Sequence, residues 1–215
     1  MPTVARTTHP SAYEYIPSNP TLTKLWQAAQ ECRACELYKL GTQAVLGEGP
    51  RQAAVLFIGE QPGDQEDLAG RPFVGPAGRV LDEALAEVGI PRKEVFVTNA
   101  VKHFKWEPRG KRRIHAKPNA AEIGACRPWL EVEIALVKPR VLVCLGATAA
   151  QALLGKSFKV SQQRGTLVPS PLAPVVSATV HPSSILRAPD DETRREEMRR
   201  FVKDLRTIAR EMSKS

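Results

Sequence analysis

The chain of 215 residues and 23.6 kDa is long enough to bury a full-sized core and short enough to do so as one domain. Hydrophobic residues at 42%, charged residues at 25% and a mean hydropathy of -0.27 exclude an intrinsically disordered chain, and no apolar run approaches the roughly 20 residues that cross a bilayer. Lys and Arg total 31 against 23 Asp and Glu, and the formal charge of +8 favours a polyanionic partner, of which nucleic acid is the commonest.

Residues 1–21 mix Pro, Thr, Ser and Tyr and lack the apolar stretch of a secretory signal. They are expected to form a loosely ordered arm ahead of a single domain over 22–215, in a protein of the bacterial cytoplasm that acts as a monomer away from any membrane. Spacing then predicts, in chain order, a helix over 22–30, a strand over 53–58, a helix over 77–88 stopped by Gly89, and a strand over 95–98. There follow a helix over 118–138 with Pro118 in its first turn, a strand over 140–145, a helix over 147–154 stopped by Gly155, and a strand over 174–180. A last helix over 192–212 places Met198, Phe201, Val202 and Leu205 toward the core. Short apolar strands alternating with helices predict an α/β fold, a three-layer α/β/α sandwich around a four-stranded parallel sheet. The long irregular stretches 59–76, 102–117 and 156–171 are left as candidates for function.

In an open parallel sheet ligands bind beyond the carboxyl ends of the strands. Here those ends carry Glu60, Gln61 and Asp64 after the first strand, Asn99 after the second, and His181, Ser183 and Ser184 after the last. Each has a bland alternative, a tight turn for the Gly-Pro-rich stretch, a turn cap for Asn99 and a backbone-satisfied loop residue for His181. Residues 102–117 contain seven Lys or Arg and one acid, interleaved with Phe104 and Trp106, which is what phosphate contact plus base stacking requires and also what a solvated basic loop looks like. Cys32 and Cys35 form a C-x2-C pair, with Cys126 and Cys144 as distant singles. Such a set suits a four-iron four-sulfur cluster or a structural zinc, and spacing alone does not choose between them.

A GExPGxxED motif fits residues 59–67 and an HPSxxLR motif fits 181–187, and with the cysteines they resemble uracil-DNA glycosylases of the iron-sulfur (family 4) type. Gln61 within the first motif and the basic KRRIH run over 111–115 are most similar to the UdgX branch of that family. The resemblance implies a four-iron four-sulfur cluster on Cys32, Cys35, Cys126 and Cys144, and uracil-containing DNA, single-stranded or duplex, as the substrate. It further implies that Phe73 stacks on a flipped uracil, that Asn99 reads the edge distinguishing uracil from cytosine, that Gln61 and Asp64 help to hold the base, and that His181 donates to the uracil oxygen. Lys111, Arg112, Arg113, Ser183 and Ser184 would contact the DNA. His115 would capture the sugar carbon after uracil leaves, with Glu60 orienting its ring or accepting its proton, so that the enzyme is consumed in one turnover. Two other readings compete: a glycosylase that turns over with water while the basic loop only grips phosphate, and a non-enzymatic iron-sulfur protein that binds single strands.

Overall fold

The computed structural model describes residues 11–213. Strands β1 (Val55–Gly59), β2 (Val95–Asn99), β5 (Val141–Leu145) and β7 (Val175–Thr179) coincide with the four apolar runs, while β3 (Trp106–Arg109), β4 (Arg112–His115) and β6 (Leu167–Val168) lie in stretches read as irregular. The helices are α1 (Leu22–Ala29), α2 (Asp64–Ala69), α3 (Pro76–Glu87), α4 (Ala120–Val137), α5 (Ala147–Leu154), α6 (Val160–Gln163), α7 (Pro182–Leu186) and α8 (Asp191–Met212). Pro118 is not in the first turn of α4: Asn119 caps that helix, its side chain accepting from Glu122 N while the Glu122 carboxylate accepts from Asn119 N.

The main sheet runs β2-β1-β5-β7-β6. Its first four members are parallel, as expected, but it has five strands and not four, because β6 adds antiparallel to β7 at the edge. Two residues are too few to show any alternation, so β6 leaves no periodic trace in the sequence. It is held instead by tertiary partners: Ser177 Oγ donates to Thr166 O at 2.8 Å, and Gly165 N donates to Ala178 O at 2.9 Å.

Both faces of the sheet are covered, which is why its parallel strands read as continuous apolar runs. Successive side chains point to opposite faces. Val55 and Phe57 of β1 therefore join Val97, Leu81 and Leu85 of α3, and Phe201 and Leu205 of α8, on one side. Leu56 and Ile58 join Phe96, Leu142, Cys144, and Leu130 and Ile134 of α4, on the other. A third cluster, beside the amino-terminal half of α4, gathers Leu25, Leu37, Trp129, Cys32 and Cys126. The loose arm expected over 1–21 falls partly outside the described residues. Within them Ala12–Tyr15 is a packed 3-10 turn, with Ala12 buried in the third cluster and Tyr13 Oη donating to Glu131 at 2.8 Å. Among the described residues no helix is long and apolar enough to cross a membrane.

Candidate active site

Parallel register brings the carboxyl ends of β1 and β2 side by side, with Gly59 opposite Asn99. Glycine is required there: a Cβ on Gly59 would lie 2.3 Å from Asn99 Oδ1 and 2.8 Å from Phe73 Cζ. Its absence lets an amide and an aromatic face meet at the end of the sheet. Asn99 is buried, and among the described residues nothing bonds to its side-chain amide, which leaves that amide available to a base. Phe73 holds a left-handed backbone at φ 57, a conformation rare outside glycine that surrounding contacts must enforce. Gly78 supplies part of that enforcement, since a Cβ on it would stand 1.8 Å from Phe73 O. The Phe73 ring stacks near His181, with centroids 6.1 Å apart and planes 27° from parallel.

His181 caps the short helix α7, and Ser183 N donates to its Nδ1 at 3.2 Å. Burial pushes its pKa down to about 4, a fall that Glu60 opposes and that Arg187 and His115 add to, so near neutral pH the ring is uncharged. An uncharged ring whose Nδ1 accepts must carry its proton on Nε2, a neutral donor. Ser183 and Ser184, expected on DNA, also contact this histidine: Ser183 Oγ lies 2.8 Å from Nδ1, and Ser184 Oγ donates to His181 O at 2.8 Å. Gly146, at φ 89, ends β5 where a Cβ would press to 3.0 Å from His181 Cβ.

Residues 102–117, read as irregular, contain an antiparallel hairpin of β3 and β4 that folds back over this rim. Alternation sends Arg113 and His115 to one face of β4 and Arg112 and Ile114 to the other. His115 Nε2 sits 3.1 Å from Glu60 Oε1, and the second Glu60 oxygen accepts from Thr148 Oγ1. Burial favours the neutral Glu60 carboxyl, but the hydrogen bonds from His115 and Thr148 and the two nearby imidazoles outweigh it and hold its pKa below the usual value. Thr148 went unremarked in the sequence; its position just beyond a strand end, in the first turn of α5, was the available signal.

Two residues assigned to other tasks fasten this hairpin. The Gln61 amide donates to Lys105 O and Ala116 O, both at 3.1 Å, and accepts from Lys105 N at 3.1 Å. Both its N–H groups are spent on the two stems of the hairpin, so the amide expected to help hold the base has no donor left for it. Arg113 is not a DNA-facing cation either. Its Nε donates to Asp64 Oδ1 and its Nη1 to Asp67 Oδ2, both at 2.6 Å, while its guanidinium lies 5.4 Å and 5.7 Å from the Phe104 and Trp106 ring centroids. Asp64, expected to help hold the base, thereby clasps the hairpin through one carboxylate oxygen. Lys111 and Arg112 remain exposed at the tip, as a phosphate-binding role requires.

The cysteines divide three to one. Cys32, Cys35 and Cys126 lie together in and around the third cluster, where the Cys126 thiol is pushed up to about 12, mainly by burial, with Cys35 and Cys32 adding to the rise. Cys144 lies in the middle of the sheet, opposite Ile58 and Ala178, and burial alone raises its pKa to about 12. Its side chain is fixed by strand register on the α4 face among Leu142 and Ile58, so the expected four-thiol set does not assemble. Among the described residues no three His, Cys, Asp or Glu side chains converge tightly enough for a single ion. Three thiols gathered in one region are donors of the kind that an iron-sulfur cluster or a zinc takes.

Comparison with known proteins agrees with this architecture. A family model of the uracil DNA glycosylase superfamily matches residues 46–206. The chain is 39% identical over 175 residues to a type-4 uracil-DNA glycosylase of Pyrobaculum aerophilum, covering 78% of this chain and 86% of that protein. It is 38% identical over 170 residues to a type-4 uracil-DNA glycosylase of Thermotoga maritima, covering 79% and 85%. A type-5 uracil-DNA glycosylase of Thermus thermophilus is 35% identical over 125 residues, covering 51% and 53%.

The unequal placement of the two arginines is testable without any substrate. Arg113→Ala removes the clasp and leaves Asp67 buried without its cation, so cleavage of the hairpin by a limiting amount of protease should quicken about tenfold or more, while Arg112→Ala should leave the cleavage rate within twofold of wild type. Equal rates in the two variants would contradict the assignment.

Proposed function

This chain belongs to the uracil-DNA glycosylase superfamily and is related to its type-4 members, and from that premise we propose that it excises uracil from DNA and then joins itself to the abasic sugar through His115. One observation carries the reading: a histidine borne on a separately fastened hairpin is delivered to Glu60 on the same rim that holds Phe73, Asn99 and His181.

A base must leave the stack before its glycosidic bond can be reached. In the proposed complex the flipped uracil lies against Phe73, and the Asn99 amide pairs with its Watson–Crick edge. His181, neutral and protonated at Nε2, donates to the uracil oxygen as negative charge builds on the departing base; a neutral donor stabilises that charge without first losing a buried proton. The bond from the sugar carbon to uracil N1 breaks with its electron pair going to uracil, and a ring nitrogen of His115 forms the new bond to that carbon. The proton displaced from the imidazole goes to Glu60, whose carboxylate already touches the ring and whose lowered pKa keeps it ionised beforehand. Deprotonated and alkylated, the histidine is a poor leaving group, and the adduct persists. Lys111 and Arg112 at the hairpin tip hold the phosphates.

Cys32, Cys35 and Cys126 would hold a four-iron four-sulfur cluster, with buried His103 as a fourth donor in the place expected of Cys144. His103 directly follows Lys102, whose N–H donates to Cys126 Sγ at 3.2 Å. A histidine can replace a thiolate at an iron-sulfur centre. When bound, the cluster would cross-link the segment after α1 to α4 and to the turn after β2.

Mixed with an excess of uracil-containing oligonucleotide, the protein should give a species that survives SDS and heat in an amount limited by the protein. His115→Ser should abolish that species yet still release uracil, repeatedly. A wild-type protein that releases uracil without adduct would establish ordinary turnover in place of this reading.

The same His115→Ser variant isolates His181. Because the native ring takes up its proton only near pH 4 while an unfolded one does so near 6.5, both the release rate and this histidine's share of stability should hold from pH 8 to about 7, and stability should then decline as pH falls from 6.5 toward 4. The release rate should keep its plateau to about pH 5 and break near 4; a break centred at 6.5 would remove the neutral donor from the mechanism.

Iron analysis of anaerobically purified protein tests the ligand set. Cys144→Ser should retain wild-type iron, whereas Cys126→Ser and His103→Ala should lose most of it; loss in Cys144→Ser would restore the four-thiol set.

A further inference from the structure

The steps above make no use of the most deeply buried ion pair among the described residues. Lys102 and Glu133 form an ion pair at 2.6 Å in which each side chain is 1% exposed. Burying two charges is costly, and a buried pair is seldom more stabilising than apolar side chains of the same volume. Its worth lies in where its hydrogen bonds end.

Lys102 Nζ has three N–H groups and meets three acceptors: Glu133 Oε2 at 2.6 Å, Thr98 Oγ1 at 2.7 Å and the backbone oxygen of Asn99 at 2.7 Å. Glu133 is itself fixed at both oxygens, accepting from Gly47 N at 2.6 Å and from Thr98 Oγ1 at 2.7 Å. The chain between Asn99 and Lys102 is pinned as well, since Ala100 N and Val101 N donate to Gly59 O and Glu60 O at 2.9 and 3.0 Å. Every bond of the ammonium thus ends on Glu133 or on the last two residues of β2, and one grips the peptide that carries Asn99.

We propose that Lys102, held by Glu133, is a positioning residue that sets the aim of the Asn99 amide at the base. The inference rests on the reading of Asn99 as the residue that pairs with uracil. Uracil presents a donor at N3 and an acceptor at O4, and cytosine presents the reverse, so an amide on a rocking peptide loses both alignment and selectivity. Misplacement of a contacting group by about 1 Å can cost roughly 10²-fold in rate, which is the scale of effect expected.

Lys102→Met alone would strand a buried carboxylate, so the test uses Lys102→Met/Glu133→Gln, which removes both charges and keeps an acceptor for Gly47 N. Melting temperature should fall only modestly and iron content should stay near wild type, since no buried charge is left unpaired and the group that loses its donor is the backbone oxygen of Asn99. Uracil release at saturating protein should nevertheless fall 10- to 100-fold, with the protein concentration at half-maximal rate unchanged. Lys102→Arg, which keeps the charge but replaces three converging N–H groups by a planar fork, should show the same loss. Wild-type rates in both variants would overturn the proposal. So would failure of both to fold, because the pair would then serve stability. Asn99→Asp run alongside separates the two readings: undiminished release there would remove Asn99 from the base pocket, while loss there with wild-type rates in the Lys102 variants would leave the pocket standing and reject Lys102.

Discussion

Asp67 is fully buried, and the shape of the rim follows from the need to satisfy it. An isolated carboxylate in an apolar interior costs several kcal/mol, and it persists only when its oxygens are bonded and its charge is matched. Thr42 supplies an N–H to one oxygen and a hydroxyl to the other, at 2.8 and 2.7 Å, and Arg113 supplies the cation. Since Arg113 belongs to β4, matching the charge draws the whole hairpin onto α2. Two residues further along the same strand face, His115 arrives at Glu60. A buried acid in one helix therefore decides where a histidine 48 positions away in sequence comes to rest.

The second constraint is steric. Three side chains of the proposed base pocket come from three separate segments, and each reaches its place through a missing Cβ: Gly59 for the meeting of Asn99 and Phe73, Gly78 for the backbone of Phe73, and Gly146 for His181. Close packing leaves no slack for an added methyl at these points. The left-handed Phe73 is the visible cost of this arrangement, and its location beside His181 fits the tendency of strained backbone to collect at functional sites.

Gln61 and the basic run over 111–115 were linked in the sequence only by a shared resemblance, 50 positions apart at their nearest. They are one device. The Gln61 amide bridges the two stems of the hairpin that carries the run, so a histidine presented by the hairpin needs a residue with two donors and an acceptor at that position. A carboxylate there would offer no donor to the carbonyls of Lys105 and Ala116.

The sequence by itself determined the four parallel strands, five of the helices and the rim on which chemistry had to sit, because burial on both sheet faces and on one helix stripe writes a periodic pattern into the chain. Asn99 and His181 were legible for the same reason, the one ending a strand and the other following two residues beyond one. Only the tertiary structure decided the rest. The two-residue β6 and the polar hairpin have no apolar period to read. Arg112 and Arg113 are chemically alike, and the alternation of a strand, together with a buried acid on another helix, assigns one to solvent and the other to a clasp. Four cysteines made a plausible set on paper, but Cys144 is committed by the register of β5 to the core beneath α4, away from the other three. Local periodicity carries information about which side of an element is buried; it carries none about which distant polar group waits on the other side, and that pairing is what made this site.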